Sequence, residues 1–217
     1  MTKINEERRD CMKKILLIGD SICLDYGKYL PGFVSENIRL YGKPGKNEAY
    51  TNLDVPIGGN GGDSSMVLQY VKELGENGKI SYDYFVFNCG LHDIKHNRPE
   101  NKLQIDENSY AENLKEIIEI MDKNSVKVIF INTTPADESR YNDEFPFIRY
   151  SNDVILYNNI AEKIMRERGI HIINLYSFTQ ALKLKGDDLF RDHTHFTDEV
   201  IRMQAAYIAG ELNSLER

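Results

Sequence analysis

The stretch Lys14-Ile15-Leu16-Leu17-Ile18-Gly19-Asp20-Ser21 decides the fold. Four consecutive branched apolar residues closed by a glycine read as a strand buried on both faces, and Gly-Asp-Ser directly after it reads as a tight turn into a helix. The same grammar repeats outward from it. Apolar runs rich in β-branched and aromatic residues recur at 82–88, 126–132 and 170–175, with a weaker one at 52–56. Between them lie patterns of helical period at 63–74, 109–123, 151–168 and 197–215. The apolar positions are Leu114, Ile117, Ile118 and Met121 in the second of these, and Ile155, Ile160 and Ile164 in the third. Asp63, Ser109, Ser151 and Thr197 stand where N-caps are expected, and Ser109 with Glu112 has the spacing of a capping box.

Nearly all-apolar strands that alternate with helices specify a parallel sheet covered on both faces by right-handed crossovers, here a three-layer α/β/α sandwich of five strands. Functional groups in such sheets gather beyond the carboxyl ends of the strands. Ser21 follows the first strand of this scheme, Gly62 the second and His92 the third.

A chain of 217 residues with 41% apolar content has material for one sizeable core. The expectation is a single domain over 13–217, preceded by an N-terminal extension, 1–12, that carries Lys3, Glu6, Glu7, Arg8, Arg9 and Asp10. A net charge of -7 and a pI near 5.3 leave no basic stripe for a nucleic acid. Cys11, Cys23 and Cys89 are odd in number and far apart, which fits reduced thiols rather than a disulfide framework or a zinc knuckle. No apolar run has the length of a signal core or a membrane span, so the expected setting is cytoplasmic, with neither a membrane nor a nucleic acid as partner. The oligomeric state is not encoded in these patterns.

Four short segments carry the chemistry: Gly19-Asp20-Ser21-Ile22, Gly61-Gly62-Asp63-Ser64, Gly90-Leu91-His92-Asp93 and Asp192-His193-Thr194-His195. A serine becomes a nucleophile when a base removes its proton and donors hold the oxyanion. Ser21, on a strand-to-helix turn, fits that task, and it also fits a plain N-cap. Asp192 and His195 are three apart in a loop, close enough for the carboxylate to fix the imidazole tautomer. His92, His96, His193 and His195 could instead assemble a metal site, although Gly90 and Pro99 leave barely one turn for an i, i+4 pair. The run Gly58-Gly59-Asn60-Gly61-Gly62 lacks the Lys-Ser/Thr of a phosphate loop, and its use is to bring an amide close to substrate, with Asn60 as a left-handed turn residue. The long polar and aromatic segment 133–150, with Arg140 and Tyr141, reads as a substrate wall. Asp20, Asp93, Asn60 and His193 are further candidates for substrate contact. Cys23 and Cys89 read as small core residues.

In this order and over nearly the full length, the G-D-S block, the glycine step, the G-L-H-D block and the D-x-x-H pair resemble the SGNH hydrolases, also called the GDSL esterase and lipase family. That resemblance implies Ser21 as nucleophile, His195 as base and Asp192 as its orienter, with the Ser21 and Gly62 amides in the oxyanion hole. It also implies a flavodoxin-like sheet, no metal or other cofactor, and ester or acyl-transfer chemistry. The chain departs from the family at one point, where His92 replaces the Asn of G-x-N-D. An imidazole N–H reaches about as far as a carboxamide, so His92 is expected to be the third oxyanion donor, a stronger one if protonated. The alternative is a structural replacement with weakened catalysis. The function expected on these grounds is a serine esterase or deacylase that removes a short acyl group, such as acetyl, from a carbohydrate or related small ester. An acyltransferase with the same triad and a non-catalytic carbohydrate-binding relative are the alternatives.

Overall fold

The structure, a computed structural model, describes residues 12–182 and 188–215. The expected extension lies, apart from Met12, outside the described residues. Five parallel strands form the central sheet: β1 (Lys13–Ile18), β2 (Ile38–Gly42), β3 (Tyr84–Phe87), β6 (Lys127–Ile131) and β8 (His171–Ile173), in the order β2-β1-β3-β6-β8. This is the flavodoxin-like order, and its topological switch point lies between β1 and β3. The helices are α1 (Ser21–Gly27), α2 (Lys46–Ala49), α3 (Ser64–Glu76), α4 (Glu107–Lys123), α5 (Ser151–Glu167), α6 (Leu175–Ala181) and α7 (Asp198–Ser214). α3, α4 and α5 pack side by side, and α1 and α6 pack on α7.

β1, β3 and β6 bury apolar side chains on both faces, as their composition requires. The sheet core is aromatic: Phe85 stacks on Phe87 at 4.9 Å, and Phe87 meets Phe130 edge-on at 5.2 Å. Truncating any of these rings to Ala would cost about 3–5 kcal/mol.

The second strand is not 52–56, which forms turns, but Ile38–Gly42. It is an edge strand in which only Ile38 is buried, so Arg39 and Tyr41 can face water and the apolar signal is lost. The helix starts also shift. Asp63 caps α3 by accepting the Met66 N–H at 3.1 Å, as its position predicted. α4 is capped by Asp106, which accepts the Asn108 and Ser109 N–H groups at 3.0 Å each. Ser109 donates its hydroxyl back to Asp106 at 2.7 Å, so the box with Glu112 does not form. Ser151 is the first residue of α5 and no cap, its N–H going to the Glu138 carboxylate at 2.8 Å. Thr197 holds the N-cap position of α7 without a side-chain bond. Ile155 is exposed, because α5 turns Val154, Tyr157, Ala161, Ile164 and Met165 inward.

Segment 133–150 is not one long loop. It contains a 3-10 turn at Glu138–Arg140 and the strand β7 (Phe147–Ile148). β7 joins β4 (His96–Asn97) and β5 (Lys102–Leu103) in a small antiparallel sheet, ordered β5-β4-β7. Among the described residues no helix is long and apolar enough to cross a membrane.

Candidate active site

Ser21 stands at the carboxyl end of β1 as the first residue of α1. Asp20 caps that helix by accepting the Ile22 N–H at 3.0 Å, so the capping role open to Ser21 falls to its neighbour. Gly19 has to be glycine, since a Cβ there would collide with Asn88 Oδ1 and Cys23 Cβ. The turn therefore brings the strand end close under β3 and points the serine to the sheet rim.

His195 Nε2 lies 2.9 Å from Ser21 Oγ. Its Nδ1 lies 2.8 Å from Asp192 Oδ2 and 3.0 Å from Oδ1. Asp192 Oδ1 also accepts the Thr194 and His195 backbone N–H groups at 2.8 and 2.7 Å, which locks the carboxylate toward the ring. Burial alone would raise the Asp192 carboxyl, but the His195 ring and backbone N–H groups outweigh it and hold it well below the usual carboxylate range. The groups form one chain from carboxylate through imidazole to hydroxyl, a geometry that can draw the serine proton onto the ring.

His92 follows β3, is buried, and lines a cleft of about 480 Å³. Among the described residues its Nε2 has no hydrogen-bond partner. Burial, together with the Lys95 and Arg149 charges, holds the imidazole well below its ordinary value, so His92 is neutral at physiological pH. The stronger donor that a protonated ring would make does not apply, and any hydrogen bond it gives comes from a neutral ring.

Gly62 has a left-handed φ of 73°, and its N–H already donates to Asn60 Oδ1 at 3.0 Å. The neighbouring Gly61 N–H donates to Gly19 O at 2.7 Å and ties this loop to the end of β1. Asn60 is buried, its Nδ2 donating to Leu53 O at 3.2 Å; it shapes the loop and is neither a left-handed residue nor a substrate contact.

Other expected substrate residues turn out to be braces. Asp20 is fully buried under α1. Asp93 is fully buried too, and its carboxylate accepts the Ser64 N–H at 2.9 and 3.1 Å, tying the His92 loop to the start of α3. Burial pushes its pKa up to about 8 against the Ser64 hydrogen bonds. Arg140 is drawn to the surface by Asp137, at 2.8 Å, and by Asp188, and does not reach the cleft. These polar residues were singled out for lying in or near motifs, and their side chains bond backbone donors or neighbouring carboxylates instead.

Tyr141 and His193 do come to the site. The Tyr141 ring packs on His193 at 4.4 Å, and its hydroxyl accepts from Arg149 Nη1 at 3.0 Å. His193 Nε2 lies 3.4 Å from Asp54 Oδ1, with Phe145 and Phe147 as further neighbours of its ring. His96 is instead held by Asp153 at 2.8 Å, and His171 at the surface by Glu211 at 3.0 Å. Each imidazole of the metal alternative thus has a different setting, and among the described residues no three or more His, Cys, Asp or Glu side chains cluster as metal ligands would. Cys23 and Cys89 are free, buried thiols whose pKa values burial raises.

Three residues of the site were missed in the sequence. Buried Lys95 and Arg149 and half-buried Asp54 form a charged group beside His92. Lys95 Nζ donates to Asp54 O at 2.6 Å and sits 4.3 Å from the Phe147 ring centre. Burial and Arg149 push its pKa down to about 7. Burial would raise the Asp54 carboxyl, but His193, Arg149 and Lys95 hold it well below the carboxylate range. The one signal for Arg149 is its place in the strand-like run Phe147-Ile148-Arg149-Tyr150, where an inward position follows from alternation.

Fold and site together define an ester-hydrolysing enzyme built on a parallel α/β sandwich. A family model described as GDSL-like Lipase/Acylhydrolase matches residues 17–201, and the chain belongs to that family. No curated protein matches the sequence. Among solved structures the chain is similar to a GDSL-like lipase from Bacteroides thetaiotaomicron, with 18% identity, 98% of this chain and 97% of that chain covered, and a TM-score of 0.65. It is similar as well to the lipase/acylhydrolase from Enterococcus faecalis, with 19% identity, 94% and 97% covered, and a TM-score of 0.66. An acetylxylan esterase from Geobacillus stearothermophilus is a third, with 15% identity, 92% and 94% covered, and a TM-score of 0.65.

Proposed function

We propose that the enzyme removes a short acyl group, such as acetyl, from a carbohydrate or a related polar ester through a covalent acyl-enzyme. The observation that carries the mechanism is the unbroken chain Asp192–His195–Ser21, with contacts of 2.8 and 2.9 Å. Ser21 Oγ attacks the ester carbonyl as its proton passes to His195 Nε2, and Asp192 steadies the imidazolium. The oxyanion meets the Ser21 N–H, free of an intrahelical acceptor at the helix start, and the His92 ring N–H. Gly62 joins them only by sharing or releasing the N–H it gives to Asn60. His195 then protonates the leaving alcohol, and a water activated by the same imidazole cleaves the acyl-enzyme.

The cleft supports the substrate class. At about 480 Å³ it is far larger than an acetyl group needs. Phe145, Pro146 and Phe147 wall one part, while Asp54, Lys95 and Gln104 line it with polar groups. An apolar face beside hydrogen-bonding groups suits a sugar ring better than an acyl tail. The acetylxylan esterase among the structural relatives points the same way.

The test is a panel of p-nitrophenyl esters and acetylated sugars on wild type and Ser21→Ala, with labelling by a serine-directed phosphonate. Ser21→Ala should lose activity by about four to six orders of magnitude while keeping its melting temperature. The label should be on Ser21. Turnover retained by Ser21→Ala, or a label on Cys23 or Cys89, overturns the assignment.

A further inference from the structure

Arg149 is 1% exposed, and its guanidinium is spent on the two loops that carry the reacting groups. Nε donates to Leu91 O at 2.6 Å, directly before His92. Nη1 donates to Thr194 Oγ1 at 3.0 Å, directly before His195, and to the Tyr141 hydroxyl at 3.0 Å. Nη2 lies 3.6 Å from Asp54 Oδ1, and the guanidinium sits 4.8 Å from the Phe147 ring centre. One planar side chain thus spans the loop after β3, the loop before α7 and the cleft wall.

We propose that Arg149 is a positioning residue: its fork holds the His92 loop and the His195 loop in one register, so that donor and base converge on the same carbonyl. The inference rests on the triad mechanism above. Burying a guanidinium is costly unless its donors are matched, and Met or Leu would fill the same space at less cost if packing were its only task. The bond to Leu91 O fixes the peptide plane that leads into His92, which sets where the ring can aim. The bond to Thr194 Oγ1 anchors the side chain one residue before His195. A lysine would keep the charge but lacks the rigid fork that reaches both acceptors.

The experiment measures kcat and KM with p-nitrophenyl acetate, together with the rate of phosphonate labelling at Ser21. The proteins are wild type, Arg149→Lys, His92→Ala, the double variant Arg149→Lys/His92→Ala and Thr194→Val. Arg149→Lys should lower kcat by about 30- to 100-fold with KM within about threefold, the split expected of geometry lost at the transition state. In the His92→Ala background the same substitution should cost only about three- to tenfold, the share carried by the His195 loop, because the His92 loop has no donor left to aim. Thr194→Val removes a single acceptor and should cost about three- to tenfold at an unchanged melting temperature, which keeps the proposal testable if Arg149→Lys does not fold. Full multiplication of the two effects in the double variant, or a wild-type kcat in Thr194→Val, would overturn the positioning role. A wild type that the phosphonate does not label at Ser21 overturns the triad itself, and this inference with it; labelling with multiplicative kinetics overturns only the inference.

Discussion

Replacing His92 with alanine tests whether its ring N–H holds the oxyanion. Loss of one oxyanion donor costs about 2.7–4 kcal/mol, or roughly a hundred- to a thousandfold in kcat. The upper part of that range is expected here, because the Gly62 N–H is engaged by Asn60 and the Ser21 N–H would be left to hold the charge. KM should change little, since the bond strengthens only as the oxyanion forms. His92→Asn, which also presents an N–H, should return to within about tenfold of wild type. The pH profile separates the two forms of the ring. His92 is held well below its ordinary value by burial and by Lys95 and Arg149, so its ring has no proton left to lose on the alkaline side. kcat should therefore show no alkaline limb that depends on His92. Stopped-flow acylation by p-nitrophenyl acetate, from about pH 5 to pH 9, isolates the chemical step. An acylation rate in His92→Ala within threefold of wild type refutes the donor role, and an alkaline limb that disappears in His92→Asn refutes the neutral ring.

Asp93 has a raised pKa, about 8 in the folded protein, against about 3.9 for an unperturbed carboxyl. The folded state keeps a proton that the unfolded chain gives up, so this stability is full below pH 4 or so and is lost as pH rises toward 8. Asp93→Asn should show a smaller fall in melting temperature than wild type between about pH 5 and pH 8, and equal slopes in thermal denaturation would count against this. Arg140→Ala breaks exposed ion pairs away from the cleft. It should leave kcat/KM unaltered and the melting temperature within about 2 °C, and a specific loss on sugar esters would return Arg140 to the substrate site. Phe145→Ala should raise KM for acetylated sugars about tenfold, the worth of about 1.4 kcal/mol of aromatic contact, and leave KM for p-nitrophenyl acetate within twofold. Equal effects on both substrates would show that Phe145 supports the fold instead.

The sequence makes the middle of the sheet plain and its rim obscure. Strands β1, β3 and β6 are covered on both faces, which demands unbroken apolar runs and makes them readable. β2 pairs along one side only, so a single inward residue suffices and Arg39 can sit in mid-strand. Ser21, Asp192 and His195 were legible because local rules decide their surroundings. A strand-to-helix turn presents the serine, and three residues of loop bring Asp192 onto His195. The same locality misled the choice of caps at α4 and α5, where Asp106 and Glu138 accept the N–H groups of Ser109 and Ser151 themselves.

Asp54, Lys95 and Arg149 escape any local rule, because charged residues belong at the surface unless tertiary structure supplies their partners. Each is tolerable only with the others. Asp54 lies within 3.6 Å of Arg149, and its main-chain carbonyl accepts from Lys95. The two cations repel, which lowers Lys95 and helps keep His92 neutral. On the proposed mechanism an oxyanion forming beside this group would meet charges already held in place, so little reorganisation is left for the moment of reaction. The same group bears on how a histidine can act at this position. A neutral amide needs no help to stay neutral, whereas an imidazole serves as a plain N–H donor over the whole working pH range only where nearby positive charge and burial withhold its second proton.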